Sequence, residues 1–304
     1  MAPGLLGRCG PGTAEPGDPL AARSIHPLRT EPPMANELQQ FRIDEPATVR
    51  LSRYDPGAKP CAVGDKAANR ARVAELAAEL ATVQDRFYAL KRDKLLLVLQ
   101  GMDTSGKDGT IRAVFQAIDP LGVRAVSYRA PTEPERDRDF LWRHHRDVPG
   151  RGEVVIFNRS HYEAVLIEYV HGWIDAAERQ RRLAHIVEFE RLLVETGTTI
   201  VKCFLHIGRD EQRQRLQERI DDPEKHWKFN PQDLEERKLW DKYQDAYEVL
   251  LGATGTAHAP WFIVPSDSKT HRNLMVTEIL LAAMRPLAPS YPPPRQEFAK
   301  LKVP

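Results

Sequence analysis

The junction between Lys94-Leu-Leu-Leu-Val-Leu-Gln100 and Gly101-Met-Asp-Thr-Ser-Gly106-Lys107 restricts the fold of this chain more than any other stretch. An unbroken apolar run of this length reads as a strand buried on both faces, the usual environment of a parallel sheet. Such a sheet needs helices on both sides. The glycine and lysine spacing, directly after a buried strand and before a helical stretch, is the context a phosphate-binding loop requires. Glycines let consecutive N–H groups turn inward, a helix N-terminus adds positive potential, and Lys107 brings a charge to a phosphate.

Further short apolar runs at 123–128, 154–157, 199–205 and 261–264 alternate with helical patterns. The first helix is expected over Lys66–Leu90, with Val73, Leu76, Leu80, Val83, Phe87 and Leu90 at three- and four-residue spacing. Others are expected at 175–196 and 269–284. The alternation implies a three-layer α/β/α sandwich with a doubly wound parallel sheet, P-loop kinase-like, and a site at the carboxyl ends of its strands. One catalytic domain is expected over 46–286. Residues 1–45 are rich in Pro and Gly without periodicity and read as a disordered extension, with Met34 inside it as an alternative start of translation. Residues 287–304 form a Pro-rich tail.

Charge is balanced across the 304 residues, with 44 Lys and Arg against 43 Asp and Glu. A basic nucleic-acid-binding face is therefore not expected, and any anion site must be built by local clustering. The densest cluster, 209–247, contains Arg209, Arg213, Arg215, Arg219, Lys225, Lys228, Arg237 and Lys238. It reads either as a solvated helical hairpin or as a mobile helical lid that carries cations over a phosphate chain. Cys9, Cys61 and Cys203 suggest neither a disulfide framework nor a zinc site. No run approaches the roughly 18 apolar residues that span a bilayer, and residues 1–28 lack the basic start and apolar stretch of a signal peptide. A soluble, cytoplasmic protein with no membrane partner is the expectation.

Asp108 follows Lys107 where a Ser or Thr usually binds magnesium. The carboxylate of Asp103 is then the candidate metal holder, a turn-capping role being its alternative. A second group, Asn158-Arg159-Ser160-His161-Tyr162-Glu163, follows the third long strand. Asn158 stands where such enzymes commonly carry a metal-binding Asp, and Arg159 is placed to neutralise a transferring phosphate. Nucleotide or phosphate contacts are expected from the loop residues Gly101, Thr104, Ser105, Gly106, Asp108 and Gly109, and from Arg129, Tyr162 and Glu163 beyond it. Asp137 and Asp139 are candidates to hold metal or anchor an arginine, whereas Arg136 and Arg138 read as surface residues. Phosphoryl transfer through a loose transition state needs little base catalysis, so His144, His145 and His161 read as packing or phosphate-contact groups. Trp142, Trp227, Trp240 and Trp261 read as core or lid-packing aromatics, and Cys203 as an inert core thiol. These residues point to a phosphotransferase. A nucleoside monophosphate kinase that uses ATP, and a nucleotide-binding switch or ATPase subunit, remain alternatives; a dense cationic lid favours enclosing a substrate away from water.

The loop 101–109, Phe140-Leu-Trp-Arg143, the element 157–163, Trp227-Lys228-Phe229 and Ala259-Pro-Trp261 together resemble the polyphosphate kinase family 2 over about residues 45–286. The Asn-Arg-Ser-His-Tyr-Glu version of the second motif looks like its class III branch. The resemblance implies inorganic polyphosphate as donor, AMP and ADP as acceptors with ATP formed, reversible transfer, Mg2+ or alternatively Mn2+, and a homodimer or homotetramer. By the same resemblance Asp103 and Lys107 match the loop carboxylate and lysine, and Asn158 and Arg159 the second motif. Lys66, Arg209, Arg213, Lys225 and Lys228 resemble the family's cationic lining for the polyanion. The helix 66–90 suits either a subunit interface or the outside of a monomer.

Overall fold

In the computed structural model, which describes residues 36–303, the apolar runs become strands of one sheet. The strands are β1 (Arg42–Ile43), β2 (Lys94–Gln100), β3 (Val123–Ser127), β4 (Val154–Asn158), β5 (Thr198–His206) and β6 (Trp261–Pro265). Their order is β1-β6-β5-β2-β4-β3, with β1 antiparallel to β6 and every other pairing parallel. β2 lies at the centre, where Leu97 stands beside Ile156 on β4 and Val201 on β5.

Successive side chains of a strand point to opposite faces, and both faces here are covered. Leu95, Leu97 and Leu99 pack with the helices Lys66–Leu90 and Lys269–Met284. Leu96 and Val98 join Phe157, Phe204 and Trp261 under the helices Glu163–Val170, Ala176–Glu195 and Trp240–Thr254. The three layers expected from the alternation are therefore present. The helix Lys66–Leu90 starts where the Asp65 carboxylate accepts from the N–H groups of Ala67 and Ala68, at 2.9 and 2.8 Å, and stops where Lys91 turns left-handed at φ 47°.

Three boundaries differ from the sequence reading. Residues 36–45, expected within the disordered extension, enter the fold: Leu38, Phe41 and Ile43 are buried, and Arg42–Ile43 pairs with β6. The remainder of that extension, with Met34, lies outside the described residues. The charged segment expected to reach residue 247 ends sooner as a distinct structure. It comprises the helix Arg209–Asp221, a 3-10 stretch Pro223–Lys228 and the helix Gln232–Lys238. The helix Trp240–Thr254 that follows buries Trp240, Tyr243, Ala246, Tyr247 and Leu250, so its apolar stripe commits it to the core layer. The Pro-rich tail begins inside the core with Leu287 and Ala288, and Tyr291 donates to Asp85 at 2.5 Å. Among the described residues no helix is long and apolar enough to cross a membrane.

Candidate active site

The phosphate-loop expectation depends on backbone geometry. Gly101 leaves β2 with φ 150°, Thr104 takes φ 63°, and Gly106, at φ 106°, opens the helix Lys107–Val114. A Cβ on Gly101 would stand 2.7 Å from the carbonyl of Leu205, and one on Gly106 would enter the guanidinium of Arg272. Only glycine fits at either point. Thr104 is one of three described non-glycine residues with positive φ; another is Arg159, at 62°. Backbone strain of order 1–3 kcal/mol per such residue is commonly retained at functional sites.

Charged groups converge on the loop. Lys107 Nζ donates to the carbonyls of Gly101 and Met102 at 2.6 and 3.3 Å. Burial draws its pKa down, helped by Arg159 and opposed by Asp103, Glu163 and Asp108. Arg159 donates to Asp103 at 3.2 Å; burial opposes its charge, but Glu163 and Asp103 outweigh it and its pKa rises. Glu163 is itself raised by burial, against the pull of Arg159 and Lys107. The hydroxyls of Thr104 and Ser105 are buried with no hydrogen-bond partner among the described residues.

The two departures noted in sequence meet in space. Asn158 Nδ2 donates to Asp108 Oδ1 at 2.6 Å and to Ser127 Oγ at 3.3 Å. The carboxylate usually found on the strand thus stands on the loop, and the neutral group stands on the strand.

Sequence reasoning missed what holds the loop from behind. Gln212 Nε2 donates to the carbonyl of Asp103 at 3.1 Å. Arg215 Nη1 donates to the carbonyls of Thr104 and Ser105 at 2.9 and 3.3 Å, and its Nη2 to those of Ser266 and Asp267 at 2.7 and 2.9 Å. Arg272 Nη1 reaches the Ser105 carbonyl at 3.0 Å. These bonds hold three consecutive loop carbonyls, those of Asp103, Thr104 and Ser105, while the Ser105 N–H turns back to the Met102 carbonyl at 3.1 Å. In the sequence Arg215 reads only as one of the segment's cations, and Arg272 only as part of the helical stretch 269–284.

A cleft of about 730 Å3 opens over the loop. Its lining includes the expected residues Asp103, Thr104, Gly106, Lys107, Asp108 and Gly109, together with Arg129, Asn158, Arg159, Lys225 and Lys228. The exposed Trp227, over which Lys228 Nζ lies 4.7 Å from the ring centre, also borders it. Tyr128, Arg129 and Arg159 are shared with a second cavity of about 830 Å3, which Glu163, Asp139, Phe140 and Trp173 help to line. A small pocket of about 150 Å3 joins Gly101, Asp103 and Glu163 to Asp233 and Glu236 of the charged segment. There burial, and then the Asp103 charge, push the Asp233 carboxyl up to about 6.

Other expected residues stand elsewhere. Tyr162, expected to contact ligand, is fully buried. Its hydroxyl donates to Glu190 at 2.7 Å and accepts from Lys202 at 2.9 Å, within a network where Lys202 meets Glu190 at 2.6 Å. It lies in the core and lines none of the three cavities around the loop. Lys66 sits exposed on the first turn of its helix, while Arg209 and Arg213 pair at 4.0 Å with Asp241 and Asp210. None of these three lines the cleft. Asp139 caps the N–H of Leu141 at 2.9 Å. His144 and His161 are buried among Tyr128, Phe157 and Phe189, and burial lowers the pKa of both, so they pack as neutral rings. Trp240 and Trp261 are core residues, and burial pushes the Cys203 thiol up to about 12.

A glycine-turned loop between a central parallel strand and a helix, with a lysine and an arginine facing it, belongs to the P-loop phosphotransferases. Comparison with known proteins narrows this class. The profile of Polyphosphate kinase 2 (PPK2) matches residues 63–290. The chain is 47% identical over 266 residues to the AMP/ADP-polyphosphate phosphotransferase of Meiothermus ruber, covering 88% of this chain and 100% of that one. It is 40% identical over 271 residues to the ADP-polyphosphate phosphotransferase of Rhodopseudomonas palustris, covering 85% and 93%. The crystal structure of Polyphosphate Kinase 2 from Arthrobacter aurescens TC1 superposes with a TM-score of 0.82 at 42% identity, over 88% of this chain and 94% of that one. The chain belongs to the polyphosphate kinase 2 family.

Proposed function

We propose that the protein transfers phosphoryl groups reversibly between inorganic polyphosphate and the nucleotides AMP and ADP, forming ADP and ATP. The meeting of two cavities at Arg129 and Arg159, one of them floored by the phosphate loop, carries this reading. A polyphosphate chain suits the cleft over the loop, where Lys107, Arg159, Lys225 and Lys228 offset its charge. A nucleotide suits the neighbouring cavity, whose Phe140 and Trp173 offer apolar surface beside Arg129.

A phosphate oxygen of the nucleotide attacks the terminal phosphorus of the donor in line. A new P–O bond forms as the bridging bond to the shortened chain breaks, and the leaving oxygen keeps the electron pair. Lys107 and Arg159 offset charge on the transferred group, and positioning supplies most of the acceleration. The segment 209–238 acts as a lid that excludes water.

Mg2+ or Mn2+ fits the oxygen donors present. Among the described residues no group of three acidic, His or Cys side chains is arranged to hold a metal alone. Asp103 and Asp233 nevertheless sit close enough for one charge to raise the pKa of the other, and phosphate oxygens would complete the shell. When bound, the cation would offset charge on the phosphates. A cytoplasmic location and assembly as a homodimer or homotetramer complete the reading, the latter open to light scattering.

The test is incubation with AMP, polyphosphate and Mg2+ without ATP, followed by chromatography. Accumulation of ADP and then ATP supports the proposal. Product only when ATP is supplied would replace it with a nucleoside monophosphate kinase.

A further inference from the structure

Three described arginines are buried: Arg179, Arg215 and Arg272. Burying a guanidinium is unfavourable unless its charge and its donors find partners. Arg179 places its guanidinium 4.1 Å from the Tyr169 ring centre, donates to the Ala246 carbonyl and borders neither large cavity. Arg215 has the Glu211 carboxylate at 2.7 Å. Arg272 has neither arrangement. Its bonds go to the Ser105 carbonyl at 3.0 Å and to the Asn273 amide oxygen at 2.9 and 3.2 Å, all neutral acceptors. No carboxylate pairs with it among the described residues, and the like-charged Arg215 is close enough to add to the effect of burial in lowering its pKa.

The position of this charge is specific. Arg272 is 3% exposed, yet it borders the cleft over the phosphate loop. Its guanidinium fills the space that a side chain on Gly106 would need and lies against Gly109. The loop is built around it.

We propose that Arg272 is a positioning residue for the phosphoryl donor: it fixes the Ser105 carbonyl of the loop, and its uncompensated charge is satisfied when phosphate occupies the loop. The inference rests on the loop binding a phosphate chain and assigns to the last helix a part in donor binding that its sequence pattern conceals. Two consequences follow. Donor affinity depends on Arg272 while acceptor affinity does not, because Arg272 is absent from the lining of the second cavity. Part of the salt dependence of donor binding also belongs to this one residue, since each cation that neutralises a phosphate contributes to that slope.

Wild type, Arg272→Gln, Arg272→Lys and Asn273→Ala would be titrated calorimetrically with long-chain polyphosphate and, separately, with ATP, each over a range of KCl. Loss of a charge-assisted hydrogen bond should weaken polyphosphate binding by about tenfold in Arg272→Gln. Its log–log salt slope should become shallower by about one, with the KM for AMP unchanged. Arg272→Lys should keep the wild-type slope and recover part of the affinity. Asn273→Ala, which leaves the charge in place, should lose only about two- to threefold and also keep the slope. Unchanged polyphosphate affinity in Arg272→Gln overturns the proposal, and so does weaker binding with an unaltered slope, which would make Arg272 a brace alone. If Arg272→Gln does not fold, a wild-type slope and normal donor affinity in both other variants count against it. Wild type that binds ATP but not polyphosphate sinks the donor reading only, and Arg272 is then judged on ATP. Binding of neither ligand removes both.

Discussion

The floor of the phosphate cleft and the surface beyond its lining use the same kind of side chain in opposite ways. Arg215 and Arg272, in the floor, are nine-tenths or more buried and spend their donors on loop carbonyls. Arg209 and Arg213, on the surface beyond the lining, leave more than half of their side chains exposed and meet carboxylates only at 4.0 Å. Charge in the floor is fixed and poorly screened, while charge on the outer surface is weakened by salt. Arginine count is therefore a poor guide to phosphate affinity here, and the direction of each guanidinium is a better one.

Substitutions test the contrast at decreasing strength. Lys107→Ala should reduce kcat/KM for phosphoryl transfer by about a thousandfold, read by nucleotide chromatography, because a preorganised charge in a water-poor site is lost. A similar loss in Arg209→Ala would break the distinction between floor and surface. Tyr162→Phe should lower stability by about 1–3 kcal/mol in urea unfolding, with kcat nearly unchanged, since Glu190 and Lys202 lose a buried partner. A selective rise in donor KM would instead return Tyr162 to the site.

Lys228→Ala should raise the donor KM severalfold at low salt and by less at high salt, as expected of an exposed cation. Asp233 provides a pH test. Its carboxyl is raised from 3.8 to about 6, chiefly by burial and then by Asp103. The packed segment therefore favours the protonated form. Its stabilisation is full below about pH 4, falls as pH rises from 4 to 6, and is lost above 6. Hydrogen exchange over 209–238 should follow that window, and Asp233→Asn should remove the dependence. Arg213→Ala should change stability by less than about 0.5 kcal/mol and activity by less than about twofold.

Much of the fold is legible because its signals are local. β2 is one continuous apolar run, and Gly101, Gly106 and Lys107 lie within reach of one another along the chain. Lys66–Leu90 declares its buried stripe by spacing alone. What escaped reading depends on contacts between distant segments. Nothing near residue 272 shows that its side chain will come to rest under Gly106. Tyr162 follows Arg159 closely, yet the turn after β4 directs it into the core. Leu38, Phe41 and Ile43 are too few to form a periodic pattern, and β1 exists only because β6 is there to pair with. The charge pattern of 209–247 was legible, but not that Trp240–Thr254 belongs to another layer.

The two outer strands of the sheet raise a matter of solubility. An edge strand presents unpaired N–H and C=O groups on which a second molecule can add a strand. β1 covers one edge, where the Ile263 N–H donates to the Phe41 carbonyl at 2.8 Å. At the other edge, β3 carries Arg124, tethered to Asp147 and Glu153 at 3.4 and 3.2 Å. One edge is closed by backbone and the other is guarded by charge. A chain shortened to begin after residue 45 would keep the whole phosphate loop and yet uncover β6, inviting intermolecular strand addition.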